Sequence, residues 1–304
     1  MTKNIERARL DLIQFMEDSQ KPQKQIAKEM GLSNSVVSQF IKGIYPGDND
    51  GISKSIEQYL SVAKERLKSI DADVFFEGLR NTKEVLLACA YAHKRNEIAL
   101  IRGDAGAGKT TALEHYTKRN TGVIFVTADA CTTSPTAVLN LIAEEMGQKP
   151  QNTRAKIMRI LISALDDTSR LIIIDEADHL SLGALQAIRN LNDKAGVGVI
   201  LSGNNKLYTQ MITGPRGGEY DQIRTRIIKR TKVNNNYSPE EINAIFPGLD
   251  ADALGCLLKL ARKESLRAAK KIYVLALDYA KATGQSIGVK ALQHMQKSQL
   301  GEVI

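Results

Sequence analysis

The sequence predicts an α/β fold: a parallel sheet followed by a helical lid and preceded by a small all-α domain. Three observations lead there. Apolar runs at 98–101, 123–126, 171–174 and 197–202 alternate with helical patterns, and the run at 171–174 is unbroken, as a strand covered on both faces requires. Residues 238–300 carry amphipathic helical patterns and no strand pattern. Between residues 5 and 63, separate segments place apolar side chains at helical spacing. Composition agrees with this. A length of 304 residues suggests two or three domains, and 43% hydrophobic content suffices for packed cores. No apolar run approaches the roughly 18 residues of a membrane span. The start, MTKNIERARLDL, lacks the apolar stretch of a signal peptide. Cys89, Cys131 and Cys256 stand too far apart for a disulfide framework or a zinc knuckle. The expectation is a cytoplasmic chain with no membrane partner.

The first domain is expected over 1–66. Ile5, Leu12, Phe15 and Met16 mark its first helix. In QKQIAKEMGLSNSVVSQFIKG, Ala27 precedes Gly31 by four residues and Val37 follows it by six, the pattern of two short helices joined by a turn. A small Ala27 allows close crossing, Gly31 can take the positive φ that ends a helix, and Ser33 can cap the next. Ile26, Met30, Leu32, Val37 and Phe40 are the expected core. Asn34, Ser35, Ser38, Gln39 and Lys42 then face outward, where polar side chains reach base edges or phosphates in a major groove. The plainer reading is a helical hairpin without a DNA role. PGDNDG reads as a loop, and Ile52, Ile56, Tyr59, Leu60 and Ala63 as a further helix. Residues 67–80 are expected to link to the next domain, 81–232.

That domain carries the most informative segment, EIALIRGDAGAGKTTALEHY. Gly103, Asp104, Ala105, Gly106, Ala107, Gly108, Lys109 and Thr110 satisfy G-x4-G-K-[ST] between an apolar strand and a helical pattern, with Thr111 next. Glycines let backbone N–H groups wrap phosphates, the helix start adds a positive field, Lys109 reaches the β- and γ-phosphates, and the Thr110 hydroxyl can ligate Mg²⁺. In RLIIIDEADHL, Asp175 and Glu176 end a buried strand, where open α/β sheets carry their sites. Asp175 is the candidate to hold Mg²⁺ and Glu176 to orient and activate water. Asn204, just past the 197–202 strand, can help position that water; alone it would read as a turn asparagine. Ser134-Pro135 starts a helix through Met146. ATP and Mg²⁺ are the expected cofactors.

Together these motifs resemble the AAA+ ATPases over roughly residues 80–300. The resemblance implies a helical lid, here 233–304, opened by Ser238-Pro239-Glu240-Glu241. Leu254, Leu257, Leu258 and Ala261 form one apolar face there, and Ile272, Leu275, Ala276 and Tyr279 another. Arg267 occupies the position of the lid arginine that contacts nucleotide, although Glu264 stands where the family has glycine. DQIRTRIIKR suits the place of an arginine finger completing a neighbour's site. Arg226 is preferred, with Arg224 and Arg230 as alternatives, and the same stretch also suits DNA phosphate contacts or plain surface charge.

The strings QIAKEMGLS, IIIDEADHL, GNNKLYTQM and TRIIKRT, with a repressor-like helix-turn-helix before a compact AAA+ module, are similar to the ATP-dependent target-DNA proteins of phage transposition. That resemblance implies a homo-oligomeric, ATP-dependent helical filament on double-stranded target DNA, delivery of that DNA to a transposase, stimulation of strand transfer, and release on ATP hydrolysis. Arg189, Lys194, Lys206 and Arg216 are candidate phosphate contacts. The net charge of +8, from 42 Lys+Arg against 34 Asp+Glu, sits mainly in residues 67–232, at +5, while residues 1–66 carry only +1. Principal DNA contact is therefore expected from the assembled ATPase. A helicase-loader or replication-initiator ATPase and an operator-reading transcriptional regulator are the competing readings.

Overall fold

The computed structural model describes residues 2–19, 21–70, 75–209, 211 and 217–304. The chain divides into two compact units, Met1–Val74 and Phe75–Ile304.

The first unit is helical: α1 (Thr2–Ser19), α2 (Gln23–Glu29), α3 (Asn34–Ile41) and α4 (Asn49–Ile70). Leu12, Phe15, Ile26, Ala27, Val37, Phe40 and Ile56 are buried together, with Met30 and Leu32 only partly buried at the margin. Between α2 and α3 the chain turns at Gly31, whose φ of +70° lies in the left-handed region glycine tolerates. Ser33 then caps α3, its hydroxyl accepting the Val36 N–H at 3.2 Å. The expected connection at 67–80 begins differently: α4 runs to Ile70, because KERLKSI contains good helix formers and neither Gly nor Pro. Residues 71–74 of that connection lie outside the described residues. Its last part packs into the second unit, where Phe75 stacks on His115 and Leu79 is buried.

The second unit runs α5 (Arg80–Arg95), β1 (Ile98–Gly103), α6 (Lys109–Arg119), β2 (Val123–Thr127), α7 (Pro135–Glu145), α8 (Arg154–Leu165), β3 (Leu171–Asp175), α9 (Leu182–Ala195), β4 (Gly198–Gly203), α10 (Asn205–Tyr208), α11 (Asp221–Arg224) and β5 (Ile227–Val233). The strands form a parallel sheet in the order β2-β3-β4-β1-β5. Alternation along the strands divides the core. Ile98, Leu100, Ile172, Ile174, Val199 and Leu201 face one side, with buried residues of α7, α8 and α9. Ala99, Ile101, Leu171, Ile173 and Ile200 face the other, with α5 and α6. Both faces being covered explains why the β3 run is continuously apolar.

β5 corrects the reading of 227–232 as only a basic stretch. It is an edge strand in which Ile227, Thr231 and Val233 are buried while Ile228, Arg230 and Lys232 are exposed. Its charges serve the solvent side of an edge, and its period-2 pattern is the signal that identifies it.

The lid follows as α12 (Pro239–Ile245), α13 (Ala251–Lys263), α14 (Leu266–Thr283) and α15 (Val289–Leu300). Ser238 and Glu241 form a reciprocal capping box that starts α12. Leu257, Ala261, Ile272 and Ala276 lie in the lid core, with Leu254, Leu258 and Tyr279 packed against it. Leu275 differs from expectation and is 37% exposed. At about 100° per residue it falls about 60° off Ile272, at the edge of the stripe centred on Ile272, Ala276 and Tyr279.

Candidate active site

The C-terminal ends of β3, β4 and β1, neighbours in the sheet, carry the residues that the motifs single out. From Gly103 the loop reaches α6, whose N-cap Gly108 has a left-handed φ of +88° and supplies no side-chain cap. The first-turn N–H groups of α6 are thereby left for an anionic ligand. Lys109 Nζ spans the loop, donating to the Gly103 and Asp104 carbonyls at 2.9 Å each. Burial pushes its pKa down, and the carboxylates of Asp175, Glu176, Asp104 and Asp178 pull it the other way.

Asp175 is 1% exposed, and both its oxygens are taken. The Thr110 hydroxyl donates to Oδ2 at 2.6 Å and the Ser202 hydroxyl to Oδ1 at 2.7 Å. A buried carboxylate that accepts from two hydroxyls, one of them at the end of the phosphate loop, belongs to an all-oxygen donor set suited to a hard divalent cation such as Mg²⁺. Beyond it Glu176 is exposed and left-handed, with φ +52°. Such a conformation costs on the order of 1–3 kcal/mol in a non-glycine residue and turns the chain abruptly out of β3.

Asn204 caps α10, its Oδ1 accepting the Lys206 N–H at 2.7 Å. Its Nδ2 donates to Asp178 Oδ2 at 2.6 Å, and its backbone N–H to Asp178 Oδ1 at 3.1 Å. The Asp104 carboxylate accepts from Asn205 Nδ2 and from the Asn235 N–H, both at 3.2 Å, so its side chain braces the loop. Asn81 Nδ2 donates to the Ala107 carbonyl at 3.3 Å from below. Ala105, on the loop, and Thr111, in the first turn of α6, are exposed. The lid touches the loop directly: a Cβ on Gly106 would lie 2.7 Å from Ser265 Cβ and 3.4 Å from Arg267 Cβ. That contact brings the start of α14, and with it Arg267, beside the phosphate loop.

The other candidates lie elsewhere. Arg226 pairs with Asp193 at 3.0 Å, while Arg224 pairs with Asp221 and Arg230 donates to the Arg224 carbonyl at 3.4 Å. Arg189 also approaches Asp193, at 3.8 Å, and its side chain is only 20% exposed, which makes it less available to a phosphate than the exposed Lys194 and Lys206. Arg216 lies outside the described residues. In the first unit Asn34, Ser35, Gln39 and Lys42 are exposed and Ser38 partly so. Asn34 Oδ1 accepts from Gln23 Nε2 at 2.8 Å, and Ser35 shares a hydroxyl contact with Ser33.

Sequence reasoning missed Ser202, Asp178, Asn205, Asn235 and Asn81. Asp178 had a signal, a third carboxylate in the same short acidic segment. Asn81 and Asn235 had none, because Asn81 reaches Ala107 across 26 residues and Asn235 reaches Asp104 across 131.

A phosphate loop opening a helix, a buried strand-end aspartate joined to it, and a helical lid resting on it define an ATPase of the AAA class. A family profile described as an AAA domain matches residues 92–211. The chain is 32% identical over 232 residues to the ATP-dependent target DNA activator B of Escherichia phage Mu, spanning 76% of this chain and 74% of that one. The protein of the same name from Escherichia phage D108 matches to the same extent. The Mu-like prophage FluMu DNA transposition protein B of Haemophilus influenzae is 30% identical over 225 residues, 73% of this chain and 78% of its own. The chain belongs to this family of Mu-type transposition B proteins. No helix among the described residues is long and apolar enough to cross a membrane.

Proposed function

We propose that this chain is an ATP-dependent DNA-binding protein of transposition, which assembles on target double-stranded DNA, presents it to a transposase, stimulates strand transfer, and is released when ATP is hydrolysed. The observation that carries the reading is the Thr110–Asp175 junction between phosphate loop and acidic strand, in a chain whose relatives are named as target DNA activators.

In this reading the N–H groups of residues 103–111 and the Lys109 ammonium bind the nucleotide phosphates. Thr110 and Asp175 would hold Mg²⁺, which when bound offsets charge on the β- and γ-phosphates. Glu176 orients the attacking water and takes its proton, with Asn204 aiding its placement. Arg267 reaches the nucleotide from the lid. Arg226, released from Asp193, completes the site of a neighbouring subunit. Hydrolysis thereby depends on assembly.

DNA contact falls to Lys194, Lys206 and Arg216, with Arg189 secondary, and many weak contacts add along a filament. The outward residues of α3, Asn34, Ser35, Ser38, Gln39 and Lys42, supply a further contact to DNA. Electron microscopy of the protein with DNA, with and without ATP, tests the assembly. ATP-dependent filaments along the duplex are expected; discrete rings, or no change with ATP, would sink the proposal.

A further inference from the structure

We infer that Asp178 is a positioning residue for ATP hydrolysis, holding the Asn204 carboxamide in one orientation beside the phosphate loop. The inference rests on the role proposed above for Asn204. It begins from the 3-10 turn Ala177–His179 that follows Glu176. The left-handed Glu176 turns the chain so that the Asp178 carboxylate meets the end of β4 rather than solvent. There it accepts two hydrogen bonds from one residue, from the Asn204 N–H at 3.1 Å and from Nδ2 at 2.6 Å.

A second observation points to the same fit. A Cβ on Gly203 would lie 2.7 Å from Asp178 Oδ1 and 3.3 Å from the Asp178 backbone nitrogen. A side chain at 203 would therefore push the carboxylate from the place where it meets Asn204. The Asn204 amide has no alternative orientation. Its Oδ1 accepts the Lys206 N–H, so a flipped amide would set a donor against that N–H and an acceptor against the carboxylate. Nδ2 retains one hydrogen beyond the bond to Asp178, free to meet a water or phosphate oxygen. Because Glu176 and Asp178 are two residues apart, the group proposed to activate water and the group fixing Asn204 share one hydrogen-bonded turn. An ionised carboxylate grips a carboxamide more strongly than a neutral acceptor would. Replacing it with asparagine would bring an NH₂ towards the Asn204 donors.

The test is a double-mutant cycle in the full chain, reading steady-state ATP hydrolysis and, separately, ATP affinity by equilibrium dialysis. Asn204→Ala should lower kcat by on the order of tenfold with ATP affinity unchanged. Asp178→Ala should lower it equally, and the double variant should be no worse than either. Gly203→Ala, which displaces the carboxylate without deleting it, should reproduce the loss and stands in if Asp178→Ala does not fold. An unchanged kcat in Asp178→Ala or Gly203→Ala, losses that multiply in the double variant, or a raised Mg²⁺ requirement in Asp178→Ala would overturn the inference while leaving the Asn204 role standing. An unchanged kcat in Asn204→Ala would instead remove the role of Asn204, and this inference with it.

Discussion

Two helix starts in this molecule, those of α3 and α6, are built in opposite ways. The N-terminus of α3 carries a side-chain cap: the Ser33 hydroxyl accepts the Val36 N–H, and Gln23 donates to the Asn34 side-chain oxygen beside it. The N-terminus of α6 is left open, with Gly108 in place of a capping side chain and Lys109 drawn across the loop to two carbonyls. A helix start with its own side-chain cap has a first-turn donor engaged without any ligand. One that withholds the cap makes the ligand the missing partner, so binding and local order are coupled.

The largest effect expected from breaking this contrast is at the open end. Lys109→Ala should reduce ATP hydrolysis on the order of 100-fold or more, read by phosphate release, while leaving the thermal unfolding of the first unit as it is. Next comes the buried acidic strand end. Asp175→Ala strands the Thr110 and Ser202 hydroxyls, and Ser202 is wholly buried. A loss of about 1–3 kcal/mol of stability should appear in denaturant titration, together with loss of Mg²⁺ dependence. At the closed end the effect is smaller and purely structural. Ser33→Ala should destabilise the first unit by about 1 kcal/mol without altering ATP hydrolysis.

The smallest effect belongs to a surface anchor of that unit. The Tyr59 hydroxyl, then Lys21 and Gln25, hold the Glu29 carboxyl down at about 2, against an ordinary value of 4.5. A depressed carboxyl contributes stability that is present above its unfolded value and lost as pH falls through the folded one. The first unit should therefore lose this contribution between about pH 4.5 and about pH 2, and Glu29→Gln should flatten that part of its pH–stability curve.

Legibility from sequence followed the same division. β1 to β4 were readable because continuous apolar runs have few alternatives in a covered parallel sheet. The phosphate loop was readable because its spacing is local. β5 was hidden by its outward charges, and α5 by the small size of its buried stripe, Val85, Ala88, Cys89 and Ala92. Within the site, Lys109, Thr110, Asp175 and Glu176 were legible as motif residues. Ser202, Asn205 and Asn235 were not, since each acts through a partner far away in the chain.

The sequence by itself determined the α/β class, the phosphate loop, the acidic strand end and the two-helix turn around Gly31, because each is written in neighbouring residues through spacing, capping and positive φ. Only the tertiary structure decided that Asp175 is buried beneath Thr110 and Ser202, that the lid rests on Gly106, and that Asp178 grips Asn204. These depend on which strand ends lie side by side, and the order β2-β3-β4-β1-β5 is set by packing between segments distant in the chain, which no local pattern encodes.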